Sequence, residues 1–331
     1  MNDSKLTTLR LVQFNVENLF LYMDLYNGQN LTQLSEAQWG QLSTSVTPNK
    51  PLRKVLGLAE AIRDLNPDVL MLNEVGGVES LENLNNHFLN NDYIVYLKEG
   101  NSKRGIDVGY LVKKSLPFKA LLISHKDRPI NFLYPHEKAT ESGGKSHYFS
   151  RDVAELRLFK PGSKSPSLIL LLTHLKSKLD SDGIDKGGQL RRAAELKTLV
   201  NIYNEVRAES KEKPFVVVAG DFNGIASREK MEPEFQPLYE QTDLVEAFSA
   251  AEVPLEKRFT QVQITPSGRQ LFIQFDYQFV SPELAECIDK ENTFVYHFKS
   301  ELGQTAPFPR NMEERSNLIS DHYPVVLTVK I

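Results

Sequence analysis

The stretch PFVVVAGDFNG, Pro214 to Gly224, constrains this chain more than any other. Val216, Val217 and Val218 follow one another without a polar break, the pattern of a strand buried on both faces. Asp and Asn are poor strand residues, so Asp221 and Asn223 belong where that strand ends and the chain turns. Side chains two apart on extended backbone point the same way. A carboxylate and an amide then project together from a buried strand end, where open α/β sheets place their ligands. The competing reading is that both residues only make the turn.

Strand and helix patterns alternate along the chain. LRLVQFNV (Leu9 to Val16) reads as a strand, and PLRKVLGLAEAIRDLNP as a helix that Pro67 ends. Within it Val55, Leu58, Ala59, Ile62 and Leu65 keep the spacing of one face. DVLMLNEV is a strand, GVESLENLNNHFL a helix and DVGYLVKK a strand. RDVAELRLF alternates, and SLILLLTHL is continuously apolar. A second long helix covers GGQLRRAAELKTLVNIYNEVRAE, with Leu190, Ala193, Leu196, Leu199, Tyr203 and Val206 on one face. The strands FVVVAG, LFIQFDYQFV and YPVVLTVKI complete an α/β reading. No repeat or linker divides residues 1–331, so one domain is expected. Two long polar segments, about 22–50 and 125–150, are candidates for functional loops, and Trp39 can anchor the first by packing.

The formal net charge of −4 gives no global basic field. That argues against tight binding to nucleic acid by charge alone and leaves room for local cations and a metal. A single cysteine, Cys287, makes no internal disulfide and is read as packing. No apolar run has the length of a membrane span, and the start MNDSKLTTLRLVQF lacks the apolar core of a signal peptide. A cytoplasmic monomer without a membrane anchor is the expectation, and no protein partner is implied.

Asp221 and Asn223 are not alone at strand ends. Asn15 ends the first strand, Glu74 ends VLMLNEV, and His174 follows LILLLT. Asp276 lies in QFDYQFV, and Asp321 with His322 precedes the last strand. Singly, each has a mild explanation as a cap, a turn or an interior histidine. Together they have one chemical logic. Carboxylate and amide oxygens suit a hard cation such as Mg²⁺ or Mn²⁺, and histidines beside carboxylates move protons near neutral pH.

In order and spacing, FNVEN, LNEVGG, THLKSK, GDFN and SDHYPV resemble the endonuclease/exonuclease/phosphatase superfamily, over nearly the whole chain. These metal-dependent phosphoesterases include pancreatic-type deoxyribonucleases, apurinic endonucleases, neutral sphingomyelinases and inositol polyphosphate 5-phosphatases. The resemblance implies a four-layer α/β sandwich, two mixed β-sheets packed face to face with helices outside. It implies Glu74 as principal metal ligand for Mg²⁺ (or Mn²⁺), with Asn15 beside it and Asp321 close. Asp221 and Asn223 would position or activate water and hold the phosphate, and Asp276 would orient His322. His174 matches the second histidine of the deoxyribonuclease and sphingomyelinase branches, and a charged His174 would donate to the leaving oxygen. Arg151, in SRDVAEL, matches a phosphate-binding arginine, and Asp107, in RGIDVGY, is offered as the partner of His174.

The histidine in THLKS ranks cleavage of abasic sites below general phosphodiester hydrolysis. Lys176, Lys178, Lys186, Arg191 and Arg192 follow His174 and can steer a polyanion, or simply face solvent. The leading expectation is a Mg²⁺-dependent nuclease acting on DNA, or on RNA. The alternative is a phosphatase or phosphodiesterase acting on a lipid head group or an inositol phosphate. A non-catalytic module on the same fold would be expected to lose strand-end residues, and none is lost.

Overall fold

The computed structural model describes residues 7–138, 144–180, 183–209, 213–300 and 302–331. Its strands are β1 (Thr8–Leu19), β2 (Val69–Val75), β3 (Tyr93–Leu97), β4 (Asp107–Lys113), β5 (Lys119–Ser124), β6 (Val153–Phe159) and β7 (Leu168–His174). After these come β8 (Phe215–Asp221), β9 (Val245–Glu246), β10 (Gln261–Ile264), β11 (Gln270–Ile273), β12 (Asp276–Val280), β13 (Phe294–Val295) and β14 (Val325–Lys330). They form one six-stranded sheet in the order β13-β14-β1-β2-β4-β3 and another in the order β5-β6-β7-β8-β12-β9. In each sheet one pair is parallel, β1 with β2 and β7 with β8. A parallel pair needs a crossover, and the helices Leu52–Leu65 and Gln189–Ala208 lie in those two connections.

The two-residue period of the strands sorts their side chains into layers. Leu9 and Leu11 of β1, Val69 and Met71 of β2, Leu170 and Leu172 of β7, and Val217 and Ala219 of β8 share one core between the sheets. The intervening residues face outward. Val12, Phe14, Leu70 and Leu72 pack with Val55, Leu58, Ala59 and Ile62 of the first crossover helix. Ile169, Leu171, Val216 and Val218 pack with Leu196, Leu199, Tyr203 and Val206 of the second. Helix, sheet, sheet, helix is the resulting order of layers. The same period carries the inter-sheet face onward to Gln13 and Asn15, Asn73, His174, Asp221, and Gln278 and Asp276. The apolar core therefore ends in a polar patch at one edge of the sandwich.

Several local readings are corrected. LFIQFDYQFV is not one strand: β11 pairs only with β10 in a separate hairpin, and β12 joins the second sheet beside β8. The first crossover helix stops at Asn66, whose left-handed backbone (φ 46°) forms the cap, one residue before Pro67. Leu190 is exposed rather than on the buried helix face. In the segment 22–50, Trp39 is buried and its indole N–H donates to Lys50 O at 2.9 Å, which pins that loop. The segment 125–150 holds a bridge between Pro129 and Tyr148 and a short helix Pro135–Lys138, while 139–143 lie outside the described residues.

Candidate active site

At the polar edge, β8 delivers Asp221 through a tight backbone approach. Gly220 has φ +143°, and a Cβ there would sit 1.9 Å from Thr173 O on β7. Only glycine fits between those strands. Asp221 Oδ1 then accepts the Asn223 N–H at 2.8 Å, closing an Asx turn with Asn223 left-handed at φ 52°. Asn223 Nδ2 donates to Leu175 O at 3.0 Å. The turn reading of GDFN holds, and the same turn places Asp221 and Asn223 at the polar edge.

Glu74 reaches the site by a different device. Alternation along β2 puts Leu70 and Leu72 on the helix side, so residue 74 in regular register would face away. The register shifts between Asn73 and Val75, and Glu74 is left-handed at φ 65°. A bulge with a strained residue re-aims a side chain, and such strain is typical of functional positions. Glu74 Oε2 accepts the Asn18 N–H at 3.0 Å, and Oε1 lies 4.0 Å from His174 Nε2. Among the described residues Oε1 has no hydrogen-bond donor, so it stands open to a cation. Asn15 Oδ1 accepts the Glu17 N–H at 3.0 Å, which leaves Nδ2 to donate to Asp221 Oδ2 at 3.0 Å.

Asp276 and His322 form a dyad across the two sheets. His322 Nδ1 lies 2.7 Å from Asp276 Oδ2, and Gln13 Nε2 donates to Asp276 Oδ1 at 2.9 Å. His322 Nε2 faces the site, 3.9 Å from Asp221 Oδ2 and 3.9 Å from Asp321 Oδ1. Gln261 Nε2 lies 2.8 Å from the same nitrogen, so a protonated His322 requires this amide to turn its oxygen inward. Burial opposes the imidazolium, yet Asp276, Asp321 and Asp221 together hold His322 well above the ordinary histidine range. Asp221 is pushed up to about 7, chiefly by burial, with His322 pulling the other way.

His174 differs. Its Nε2 is 3.6 Å from Asp221 Oδ2, and its Nδ1 has no partner. Burial first, then the positive charges of Arg151 and His322, hold it well below the histidine range. Two expectations fall here. Asp107 is not its partner, because that carboxylate accepts the Gly100 N–H at 2.7 Å and makes no bond to His174. Despite Asp221 and Glu74 near Nε2, burial and the neighbouring positive charges favour the neutral form of His174, against the expectation of a charged proton donor.

The basic cluster is also redrawn. Arg192 is buried, pairs with Glu234, and donates to Lys176 O at 3.0 Å and Gly187 O at 2.9 Å. It clamps the helix start and cannot steer a polyanion. Lys178 pairs with Glu232 at 2.6 Å. Arg151 is buried with one long bond, NH1 to Leu175 O at 3.4 Å, and Arg104, unremarked in the sequence, reaches Asn18 Oδ1. Gln13, Asn73, Gln261 and Ser320 also escaped the sequence reading. Asn73 accepts from Gln13 and donates to Thr173 O at 2.8 Å, and Ser320 Oγ donates to Asn15 O at 2.7 Å. The period of β1 and β2 was the available signal for Gln13 and Asn73.

Two groupings offer ligands to a metal. Asp221, Asp276 and His322 have ligand atoms within 4.8 Å of one another. Asp276 Oδ2 pairs with His322 Nδ1 and its Oδ1 accepts from Gln13, so in that grouping only Asp221 and His322 Nε2 face the site. Glu74 Oε1 and Asp321 Oδ1 carry no hydrogen bond among the described residues, and open carboxylate oxygens are what a hard cation takes.

The sequence profile of the Endonuclease/Exonuclease/phosphatase family matches residues 12–322. The chain belongs to this family. Its members depend on divalent metals, in keeping with the carboxylates gathered here. No curated protein sequence matches the chain. Among solved structures, Danio rerio TDP2 complexed with single strand DNA product is similar at 16% identity and TM-score 0.57, covering 98% of this chain and 100% of that one. The human Nocturnin catalytic domain with bound sulfate anion is similar at 15% identity and TM-score 0.55, covering 97% and 93%. An endonuclease/exonuclease/phosphatase family protein from Bacteroides thetaiotaomicron is similar at 12% identity and TM-score 0.56, covering 98% and 95%. These likenesses establish the fold, two mixed sheets with helices around them. No helix among the described residues is long and apolar enough to cross a membrane.

Proposed function

We propose that this chain is a divalent-metal-dependent phosphodiester hydrolase that cuts nucleic acid, DNA foremost, with Mg²⁺ as the ion and Mn²⁺ able to replace it. The observation that carries the reading is the convergence of the open carboxylate oxygens of Glu74 and Asp321, the Asp276–His322 pair and the buried Arg151 guanidinium on one strand-end patch. Glu74 would hold the metal, with Asp321 beside it and Asn15 bracing the group through Asp221. When bound, the cation offsets the negative charge of the phosphoryl group and of attack upon it.

The chain's own residues supply the rest. Asp221 takes the proton of the attacking water, and a carboxyl pushed up to about 7 is well matched to that work near neutral pH. Asp276 keeps His322 oriented and protonated, so Nε2 donates to a phosphoryl oxygen as charge develops there. Neutral His174 donates through its tautomeric N–H, and Arg151 and the second amide N–H of Asn223 bind the same group. Asn18, held by Arg104, fixes Glu74 through its backbone N–H. The DNA product in the Danio rerio TDP2 structure supports nucleic acid as substrate class.

Purified protein with Mg²⁺ is to be offered plasmid, single-stranded DNA, RNA, sphingomyelin and inositol phosphates. Cleavage of a polynucleotide is the expected result. Hydrolysis confined to sphingomyelin or an inositol phosphate would replace the nuclease reading with a phosphatase or lipid phosphodiesterase.

A further inference from the structure

Beside the candidate site lies a cavity of about 560 Å³ whose lining includes Lys103, Arg104, Arg151, Lys176, Arg191 and, on the acidic side, Asp180. Lys103, Arg104, Arg151 and Lys176 have no carboxylate partner among the described residues. Lys176 Nζ is spent on the Ser177 and Leu179 carbonyls, and Arg104 on an amide oxygen. Asp180 is turned to the Ile184 and Asp185 N–H groups at 3.0 and 3.1 Å. Arg151 is buried with a single 3.4 Å hydrogen bond; it feels the negative charge of Glu195, Glu74 and Asp221 but makes no ion pair among the described residues, so its guanidinium can still take an anion.

The cavity is also braced from beneath. Glu195, fully buried, accepts the Ser150 N–H at 2.7 Å and the Lys176 N–H at 2.7 Å, and lies 3.3 Å from Arg191 Nε. One carboxylate thus fixes three segments that supply cations, which is how a preorganised anion site is built. A second cavity on the other flank, about 450 Å³ and lined by Glu17, Lys50 and Lys54, lacks this character. There both lysines pair with Glu17, at 3.3 and 2.8 Å.

Arg151 joins the cavity to the reacting end, since it lines the cavity and donates to Leu175 O, the carbonyl that also accepts from Asn223 Nδ2. We propose that the cavity is a second phosphate subsite, which holds the phosphate neighbouring the scissile one in a polynucleotide. This rests on the phosphodiesterase reading above and goes further: substrates with two adjacent phosphates are selected over single phosphodiesters.

The probe is thymidine 3′,5′-bisphosphate against thymidine 5′-monophosphate, titrated calorimetrically into the protein in EDTA. The bisphosphate is expected to bind at least about tenfold tighter, the worth of one charge-assisted contact. Lys103→Glu should abolish that advantage and leave monophosphate affinity unchanged. Lys103→Gln, at an exposed position with no ion pair, should reduce it and guards against a folding defect. Hydrolysis of bis(p-nitrophenyl) phosphate with Mg²⁺, which offers no second phosphate, should be equal in all three proteins. Equal affinity for the two nucleotides, or an advantage that survives in Lys103→Glu, would overturn the subsite. So would an inositol bisphosphate binding tighter than the nucleotide bisphosphate. A retained preference without any ester hydrolysis would count against the catalytic reading and in favour of the subsite.

Discussion

His322 and His174 stand at the same polar edge, one beside each sheet, and both are buried, yet their surroundings shift their proton affinities in opposite directions. His322 meets a carboxylate at 2.7 Å and two more near 3.9 Å, and the attraction outweighs burial. His174 has carboxylates at 3.6 and 4.0 Å from Nε2 but none at hydrogen-bond distance, and its Nδ1 is unpartnered, so burial and then the charges of Arg151 and His322 prevail. Residue type and burial therefore do not set a histidine's role; the group at its second nitrogen does. The comparison sets Asp276, His322 and Asp221, proposed to handle the proton, against His174 and Arg151, proposed as a neutral and a cationic donor.

The comparison breaks most visibly if the dyad is dispensable. His322→Gln and Asp276→Asn are each expected to lower turnover about 10³-fold, within the range of lost general acid–base groups. Because the two act as a unit, the double variant should lose little more than either alone. A loss equal to the product of the single losses, measured as kcat on one oligonucleotide, would show two independent residues. His174→Gln should cost less, about tenfold to a hundredfold, since an amide N–H can replace a neutral imidazole N–H. It should also leave the pH profile unshifted. A shifted acid limb would mean that His174 is charged after all.

A smaller effect concerns stability. Unfolded Asp221 releases its proton in the ordinary carboxylate range, whereas folded Asp221 holds it to about 7. Between those values the folded state binds more protons, so this group's contribution is complete at low pH and declines as pH rises toward 7. Asp221→Asn should therefore stabilise the metal-free protein by about 1–3 kcal/mol at pH 8, while abolishing turnover. The gain should vanish near pH 4. Denaturant melts at the two pH values check it, and a gain that grew on acidification would reverse the account.

How legible this was depends on which force shaped each part. The doubly buried strands β1, β2, β7 and β8 announced themselves as apolar runs, and their polar ends marked Asn15, His174 and Asp221. The strands β3, β5, β9 and β13, unread in the sequence, are the four edges of the two sheets. Half-covered and short, they carry little apolar signal. That there are two sheets came from family resemblance and not from periodicity. Glu74 was found through its motif, but its bulge was invisible, because a local backbone state overrides strand alternation there. Arg192 was misread because helix geometry turns it inward to Glu234, away from the lysines beside it in sequence. Arg104 and Glu195 were missed because the fold alone brings them to residues far along the chain.

The claim that joins both halves is that Glu74 recruits a divalent cation without which neither half acts. Cleavage of a labelled oligonucleotide should be measured with Mg²⁺, with excess EDTA, and after Mg²⁺ is restored, for the wild type and for Glu74→Gln. The account predicts activity that EDTA removes and Mg²⁺ restores in the wild type. It predicts a loss of about 10³-fold in Glu74→Gln with the melting transition preserved, the several kcal/mol a bound cation supplies. Full cleavage in EDTA, or a Glu74→Gln protein as active as the wild type, would contradict it.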